Sequence, residues 1–363
     1  MRPVHGGNLA WAAALAGCPP EAILDFSASI SPLGPPKSAI AAIQAHLGNL
    51  NSYPDPDYRE LRTALGQVHE LPPEWILPGN GSAELLTWAG RDLAELAVTL
   101  VTPAFGDYWR VLKAFNAKVQ SYSIFLDERQ EGTDISTLPL PHSPTLPLPH
   151  SSSESGLLLN NPHNPTGYLF SRETILPYLE QFALVVVDEA FMDFLPPDQE
   201  QSLSSVVQAY PNLVILRSLT KFYSLPGLRL GYAIAHPDRL QRWQQWRDPW
   251  PVNTLAAAAA VAVLRDTEFQ RKTWSWLPPV RSALFQALAQ IPDLQPYPSA
   301  ANFLLVQSQQ PSSQVQQRLL ERHQILIRDC LSFPELGDRY FRIAVRSHEE
   351  NQRLVQAIGE ISR

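Results

Sequence analysis

Four short stretches of this sequence carry side chains whose types and spacing suit chemistry. In the first, from Val214 to Tyr232, an apolar run ends at once in Ser218-Leu219-Thr220-Lys221. Such a run reads as a buried strand, so Lys221 stands at a strand's carboxyl end, where open α/β sheets form crevices. Eight residues later Arg229, in Pro226-Gly227-Leu228-Arg229, opens a second apolar run. The second stretch, Leu77-Pro78-Gly79-Asn80-Gly81-Ser82-Ala83-Glu84, places a glycine-rich turn at a helix start. Free N–H groups and the positive end of the helix dipole make such a turn an anion site, with Ser82 and Ala83 as backbone donors. Ser218 adds a hydroxyl, and Arg229 a guanidinium able to grip a phosphate with two hydrogen bonds. In the third, Leu184-Val185-Val186-Val187-Asp188-Glu189-Ala190-Phe191, an apolar strand ends in an acid, and a carboxylate at that depth is costly unless paired. The fourth, Asn160-Asn161-Pro162-His163-Asn164-Pro165-Thr166-Gly167, uses rigid prolines to fix an asparagine amide at a strand end.

Strands and helices alternate around these stretches, as in a βαβ array. Helices are expected over 38–47, 58–69, 83–93, 108–115, 172–181 and 237–246, with strands over 97–102, 118–124, 156–160, 184–188, 213–217 and 230–235. After Pro251 the character changes. Helices over 254–264 and 269–291 lead to a strand over 302–307, a helix over 313–323, strands over 325–328 and 340–345, and a helix over 348–361. The expected fold is α/β, with a mostly parallel central sheet in a large domain (51–252). A smaller α+β domain (253–363) begins with a connecting helix and is joined by residues 1–50. Within 137–151 the string Thr-Leu-Pro-Leu-Pro-His-Ser occurs twice around Pro144. This Pro/Ser-rich insertion, 137–155, reads as an exposed disordered loop, and His142 and His150 within it as no metal site.

A chain of 363 residues, 45% hydrophobic and 17% charged, is long enough for a large core. Its net charge of −7 argues against nucleic acid or an anionic membrane as the main partner. Two cysteines, Cys18 and Cys330, are too few for a disulfide framework and suit a reducing cytoplasm. The opening residues hold no apolar signal core, and no run approaches a membrane span. The expectation is a soluble cytoplasmic protein.

The ordered set Asn-Pro-x-Asn-Pro-Thr-Gly, Asp-Glu-Ala, Ser-x-x-Lys and Pro-Gly-x-Arg resembles the signature of fold-type I pyridoxal-phosphate enzymes, the aspartate-aminotransferase superfamily. The resemblance covers nearly the whole chain and implies pyridoxal 5'-phosphate as cofactor. It makes Lys221 the Schiff-base lysine and Asp188 the acid that keeps the pyridine nitrogen protonated, so that the ring becomes an electron sink. Asn164 matches the donor to the cofactor's phenolic oxygen, and Ser82, Ala83, Ser218 and Arg229 match the phosphate cradle. Tyr108, in Pro103-Ala104-Phe105-Gly106-Asp107-Tyr108, matches the aromatic that stacks on the ring. Tyr53 matches a tyrosine that reaches the phosphate in the neighbouring subunit, which implies a homodimer with shared active sites. Phe191 stands where most related aminotransferases carry a tyrosine donating to the phenolic oxygen. Losing that hydrogen bond raises the pKa of the lysine–cofactor link.

Within the superfamily the chain is similar to the histidinol-phosphate aminotransferase branch and, more narrowly, to the threonine-phosphate decarboxylase family of cobalamin biosynthesis. The narrower match rests on His5-Gly6-Gly7-Asn8, Phe26 to Gly34, Ile327-Arg328-Asp329-Cys330 and Phe341-Arg342-Ile343-Ala344-Val345-Arg346-Ser347. Ser29-Ile30-Ser31-Pro32 departs from the family's Asn-Ile-Asn-Pro by exchanging two amides for hydroxyls. The resemblance implies decarboxylation of O-phospho-L-threonine to (R)-1-aminopropan-2-yl phosphate; the alternative is an aminotransferase using 2-oxoglutarate. A small phosphorylated amino acid carries two anionic groups, so its site needs fixed cations in an acidic protein. Arg342 and Arg346, four apart, are expected on one face of one strand. The family match gives Arg342 the carboxylate, while Arg328, Arg346 and His5 are assigned to the phosphate, to which guanidinium is well shaped. Lys221, Asp188 and Tyr108 are the expected catalytic residues.

Overall fold

The computed structural model describes residues 5–124, 148 and 154–361. The tandem repeat, with His142 and His150, lies outside them apart from Leu148. Strands β1 (Leu24–Asp25), β2 (Ile76–Asn80), β3 (Ala97–Thr102), β4 (Lys118–Ser123), β5 (Ser155–Asn160), β6 (Leu184–Asp188) and β7 (Leu213–Ser218) come first. They are followed by β8 (Leu230–Ala235), β9 (Leu294–Pro296), β10 (Phe303–Ser308), β11 (Ile325–Leu326), β12 (Arg328–Asp329) and β13 (Tyr340–Ala344).

The largest sheet has the order β2-β8-β7-β6-β5-β3-β4, and within it only β8 runs antiparallel to its neighbours. Its central strands are continuous apolar runs because both faces are covered. Helices Ser82–Leu93, Gly106–Ala114 and Pro237–Trp246 pack on one face around Leu86, Leu112 and Trp243. Helix Thr254–Leu264 contributes Ala256 and Ala259 to the core on the other face, with Val187 and Ile215. Asn160 of β5 stands level with Asp188 of β6, and Asp188 with Leu216 of β7. Three parallel strands therefore finish side by side, and that shared rim presents the motif residues. Edge strand β2 has no apolar alternation to betray it, since Pro78 and Gly79 interrupt it; an edge tolerates both because only one side carries a ladder.

The remaining strands form a four-stranded antiparallel sheet, β12-β13-β10-β9, and the short parallel pair β1-β11 that ties the N-terminal segment to the C-terminal part of the chain. Two sequence expectations are corrected here. The strand expected over 325–328 is two strands: the chain leaves β11 at Leu326, Gln316 Nε2 donates to the Ile327 carbonyl at 2.8 Å, and Arg328 then pairs with β13. The switch sets Arg328 directly opposite Arg342. Arg346 is not on the strand of Arg342, because β13 stops at Ala344. Ser347 and Glu350 form a capping box that starts helix His348–Ile361 instead: Glu350 N–H donates to Ser347 Oγ (3.2 Å) and Ser347 N–H to Glu350 Oε2 (3.0 Å). Among the described residues no helix is long and apolar enough to cross a membrane, and no three His, Cys, Asp or Glu are grouped to hold a metal ion.

Candidate active site

The carboxyl ends of β5, β6 and β7 open into a cavity of about 230 Å3. Lys221 rides on a single helical turn, Leu219–Phe222, that follows β7 without a loop. Ser218 caps this turn, accepting the Thr220 N–H at 3.4 Å, and its Oγ lies 2.8 Å from Thr220 Oγ1. Burial first, then the guanidiniums of Arg342 and Arg229, lower the pKa of Lys221 to about 8.

Asp188 ends β6 on the cavity side. Its Oδ2 accepts the Tyr108 hydroxyl at 2.8 Å and its Oδ1 accepts the Ala190 N–H at 3.0 Å. Burial raises its pKa to about 6 despite both hydrogen bonds. Tyr108 itself is fully buried, edge-on to Phe105, so the expected stacking aromatic is also locked to the acid by its hydroxyl. Asn164, on the loop after β5, accepts Arg342 Nη1 at 2.5 Å through Oδ1, so its amide donor is the group left for a ligand.

An anion cradle lies at the start of helix Ser82–Leu93, which no side chain caps. Gly81 precedes it at φ 75° and ψ 162°, a backbone region reserved for glycine. A Cβ on Gly81 would stand 2.5 Å from Arg229 Nη2, and one on Gly231 would stand 2.4 Å from the Ser82 nitrogen. The two glycines let a guanidinium and a helix N-terminus close on one small space, which Ser218 also borders.

The same cavity is lined by Arg328 and Arg342, both buried. Arg342 Nη2 donates to the Ser27 carbonyl at 3.1 Å, and Arg328 Nη2 donates to Ser332 Oγ at 2.5 Å. Burial, then the charge of Arg328, lower the pKa of Arg342 to about 10. Like charges directly opposite on paired strands repel, so this geometry favours an anion held near both. His5 sits half-exposed at the mouth, its Nε2 3.6 Å from Asp107 Oδ1 and its ring tilted against Phe105. The buried hydroxyl of Ser29 faces the cavity without a partner, as does the Oδ1 of Asn160. Asn160 and Thr220 also line the space; the sequence assigns neither a role, although each lies inside a motif that signals the site.

Two residues are not brought to this cavity. Arg346, assigned to the phosphate from the sequence, is committed elsewhere: Nη1 donates to the Asp25 carbonyl at 3.0 Å and Nη2 to Glu350 at 2.7 Å. Tyr53 is 78% exposed on the outer surface, stacked on Trp250 with ring centroids 4.3 Å apart.

The model of the aminotransferase class I and II family matches residues 21–358. The chain belongs to that family. This class I/II chain is 37% identical over 362 residues to the threonine-phosphate decarboxylase of Salmonella typhimurium, across 98% of this chain and 96% of that one. It is 35% identical over 339 residues to a histidinol-phosphate aminotransferase of Symbiobacterium thermophilum, across 90% and 87% of the two chains. The solved histidinol-phosphate aminotransferase of Clostridium acetobutylicum superposes with a TM-score of 0.81 at 25% identity, over 93% of this chain and 99% of that one. The class I/II chain thus has the fold-type I architecture and is a pyridoxal-phosphate-dependent enzyme.

The residues present fit that cofactor. The glycine-lined cradle suits its phosphate, Asp188 its ring nitrogen, Asn164 its phenolic oxygen and Lys221 its aldehyde. Two expectations follow for the class I/II chain. Gly81→Ala should weaken cofactor binding about tenfold or more in a titration of the apoprotein, because the new Cβ displaces Arg229 and the backbone there resists a side chain. Wild-type affinity in that variant would remove Arg229 from the cradle. Uptake of cofactor by the apoprotein should also quicken as pH rises through about 8, since only the neutral amine of Lys221 adds to an aldehyde. A rate independent of pH across that range would contradict the assignment.

Proposed function

We propose that this enzyme decarboxylates O-phospho-L-threonine to aminopropanol phosphate, supplying cobalamin synthesis. The observation that carries the reading is the facing pair Arg328 and Arg342, two buried cations set across one cavity from Lys221, which suits a substrate with both a carboxylate and a phosphate. The similarity to the Salmonella typhimurium decarboxylase supports it.

Bound pyridoxal phosphate supplies an electron sink for the pair left at the α-carbon when CO2 departs. The residues do the rest. Arg342, held by Asn164 and Ser27, grips the carboxylate and fixes which bond of the α-carbon is aligned for cleavage. Arg328, with His5 at the mouth, binds the phosphate. Asp188, oriented by Tyr108 and the Ala190 N–H, keeps the ring nitrogen protonated. Lys221 would return a proton to the α-carbon. In this reading the protein is a cytoplasmic homodimer, and the exposed Tyr53 reaches the phosphate cradle of a second copy.

Incubating the holoenzyme with O-phospho-L-threonine alone should yield aminopropanol phosphate, identified by mass. A product that appears only with 2-oxoglutarate, or turnover confined to histidinol phosphate, would make the enzyme an aminotransferase.

A further inference from the structure

Behind the cavity, on the opposite face of the sheet, lies a second charged cluster that no step above uses. Side chains alternate along a strand, so Asp188 and Ser218 turn toward the cavity while their neighbours Glu189 and Arg217 turn away from it. Arg217 Nη1 donates to Glu189 Oε2 at 2.7 Å, and Arg217 Nη2 donates to the carboxylate of Asp193. The Glu189 and Arg217 side chains are almost fully shielded from solvent. Glu189 is further held by the Ser202 hydroxyl (2.7 Å) and the Leu203 N–H (3.0 Å), and its own N–H donates to the Leu216 carbonyl at 2.8 Å. The connecting helix Thr267–Ala289 reaches the same region twice. Trp274 Nε1 donates to the Asp193 carbonyl at 2.8 Å, and Gln270 Nε2 donates to the Tyr223 hydroxyl at 3.1 Å, two residues past Lys221.

A buried ion cluster is a poor way to gain stability, because apolar side chains of like volume do as well or better. Its geometry offers another use. Glu189 directly follows Asp188, and Arg217 lies one residue before Ser218 and four before Lys221. We propose that Arg217, Glu189 and Asp193 are positioning residues: their clamp locks the ends of β6 and β7 from behind and so sets the spacing of Asp188 and Lys221 across the cofactor ring. The proposal rests on the roles given above to those two residues.

The test compares the holoenzyme with Arg217→Met/Glu189→Met, which removes the fully buried pair together and leaves Asp193, whose side chain is 19% exposed, to be hydrated. Three quantities are read: the Tm of the apoprotein, the Kd for pyridoxal phosphate, and the pH midpoint of the visible absorbance of the lysine-bound cofactor. The expected result is a folded protein whose Tm is little changed. Its cofactor Kd rises about tenfold, and its absorbance midpoint moves by about half a pH unit or more. Turnover of O-phospho-L-threonine should fall on the order of 10²-fold in kcat with KM nearly unchanged. Should the double variant not fold, Glu189→Gln, which keeps the shape, is read in the same way, with shifts of the same sign. A folded variant with wild-type Kd, midpoint and kcat would overturn the proposal. Lys221→Ala separates the two layers. If it keeps the visible band, the reading of the site fails and the clamp's role falls with it; if it loses the band while the clamp variants behave as wild type, only the clamp is refuted.

Discussion

Lys221→Ala is expected to abolish both the absorbance band of the lysine-linked cofactor and all measurable turnover. No other amine in the described residues lines the cavity where β5, β6 and β7 end together. The phosphate cradle of Ser82, Ala83, Ser218 and Arg229 is untouched by the substitution, so the variant should still bind the cofactor without a covalent link. Equilibrium dialysis would show retained cofactor, while the absorbance band of the lysine-linked form and the product would both be missing. Retained turnover would overturn the Schiff-base role. Loss of cofactor altogether would show that the cradle contributes less than its geometry promises.

Arg342→Met is expected to push stability and function in opposite directions. The folded-state pKa of Arg342 is lowered to about 10 by burial and by Arg328, below its ordinary value. A cation whose pKa drops on folding destabilises the fold while it is charged. That penalty is fully present below the folded pKa, so it applies at neutral pH, and it fades only as pH rises beyond about 10. Its size is on the order of 3 kcal/mol before the lost hydrogen bonds to Asn164 and Ser27 are set against it. Apolar Met in that space should therefore raise the Tm of the apoprotein by a few degrees. The same change removes the carboxylate's partner and should cut kcat/KM for O-phospho-L-threonine on the order of 10²-fold. A lower Tm together with unaltered kcat/KM would refute the carboxylate assignment and leave Arg342 a structural residue.

The centre of the large sheet was legible in the sequence because strands such as β6 and β7 are apolar runs, and β3, β6 and β8 begin and end where the pattern places them. Motif residues fall together for the same reason: each ends or follows one of these strands, and parallel strands finish on one side. What the sequence hid is equally physical. β2 carries Pro78 and Gly79 and reads as a turn, and only its place at the sheet edge makes it a strand. The partner switch at Ile327 depends on Gln316, a residue of a packed helix that no local pattern announces. Arg346 lies off the strand for a reason that its neighbours do show in the sequence: Ser347-His348-Glu349-Glu350 is a capping box, so the strand ends before Arg346. The clamp of Arg217, Glu189 and Asp193 was invisible for a further reason: each member lies inside or next to a motif whose known chemistry faces the other way.

In the proposed reaction Arg342 holds the substrate carboxylate so that CO2, and not the α-hydrogen, leaves. O-phospho-L-threonine carrying deuterium at the α-carbon tests it most directly, with the product analysed by mass with and without 2-oxoglutarate. The expected product is aminopropanol phosphate that has lost its carboxyl group and kept its deuterium, in the same yield whether or not the keto acid is present. Deuterium released to water, with a keto acid formed from the substrate and glutamate appearing from 2-oxoglutarate, would contradict it.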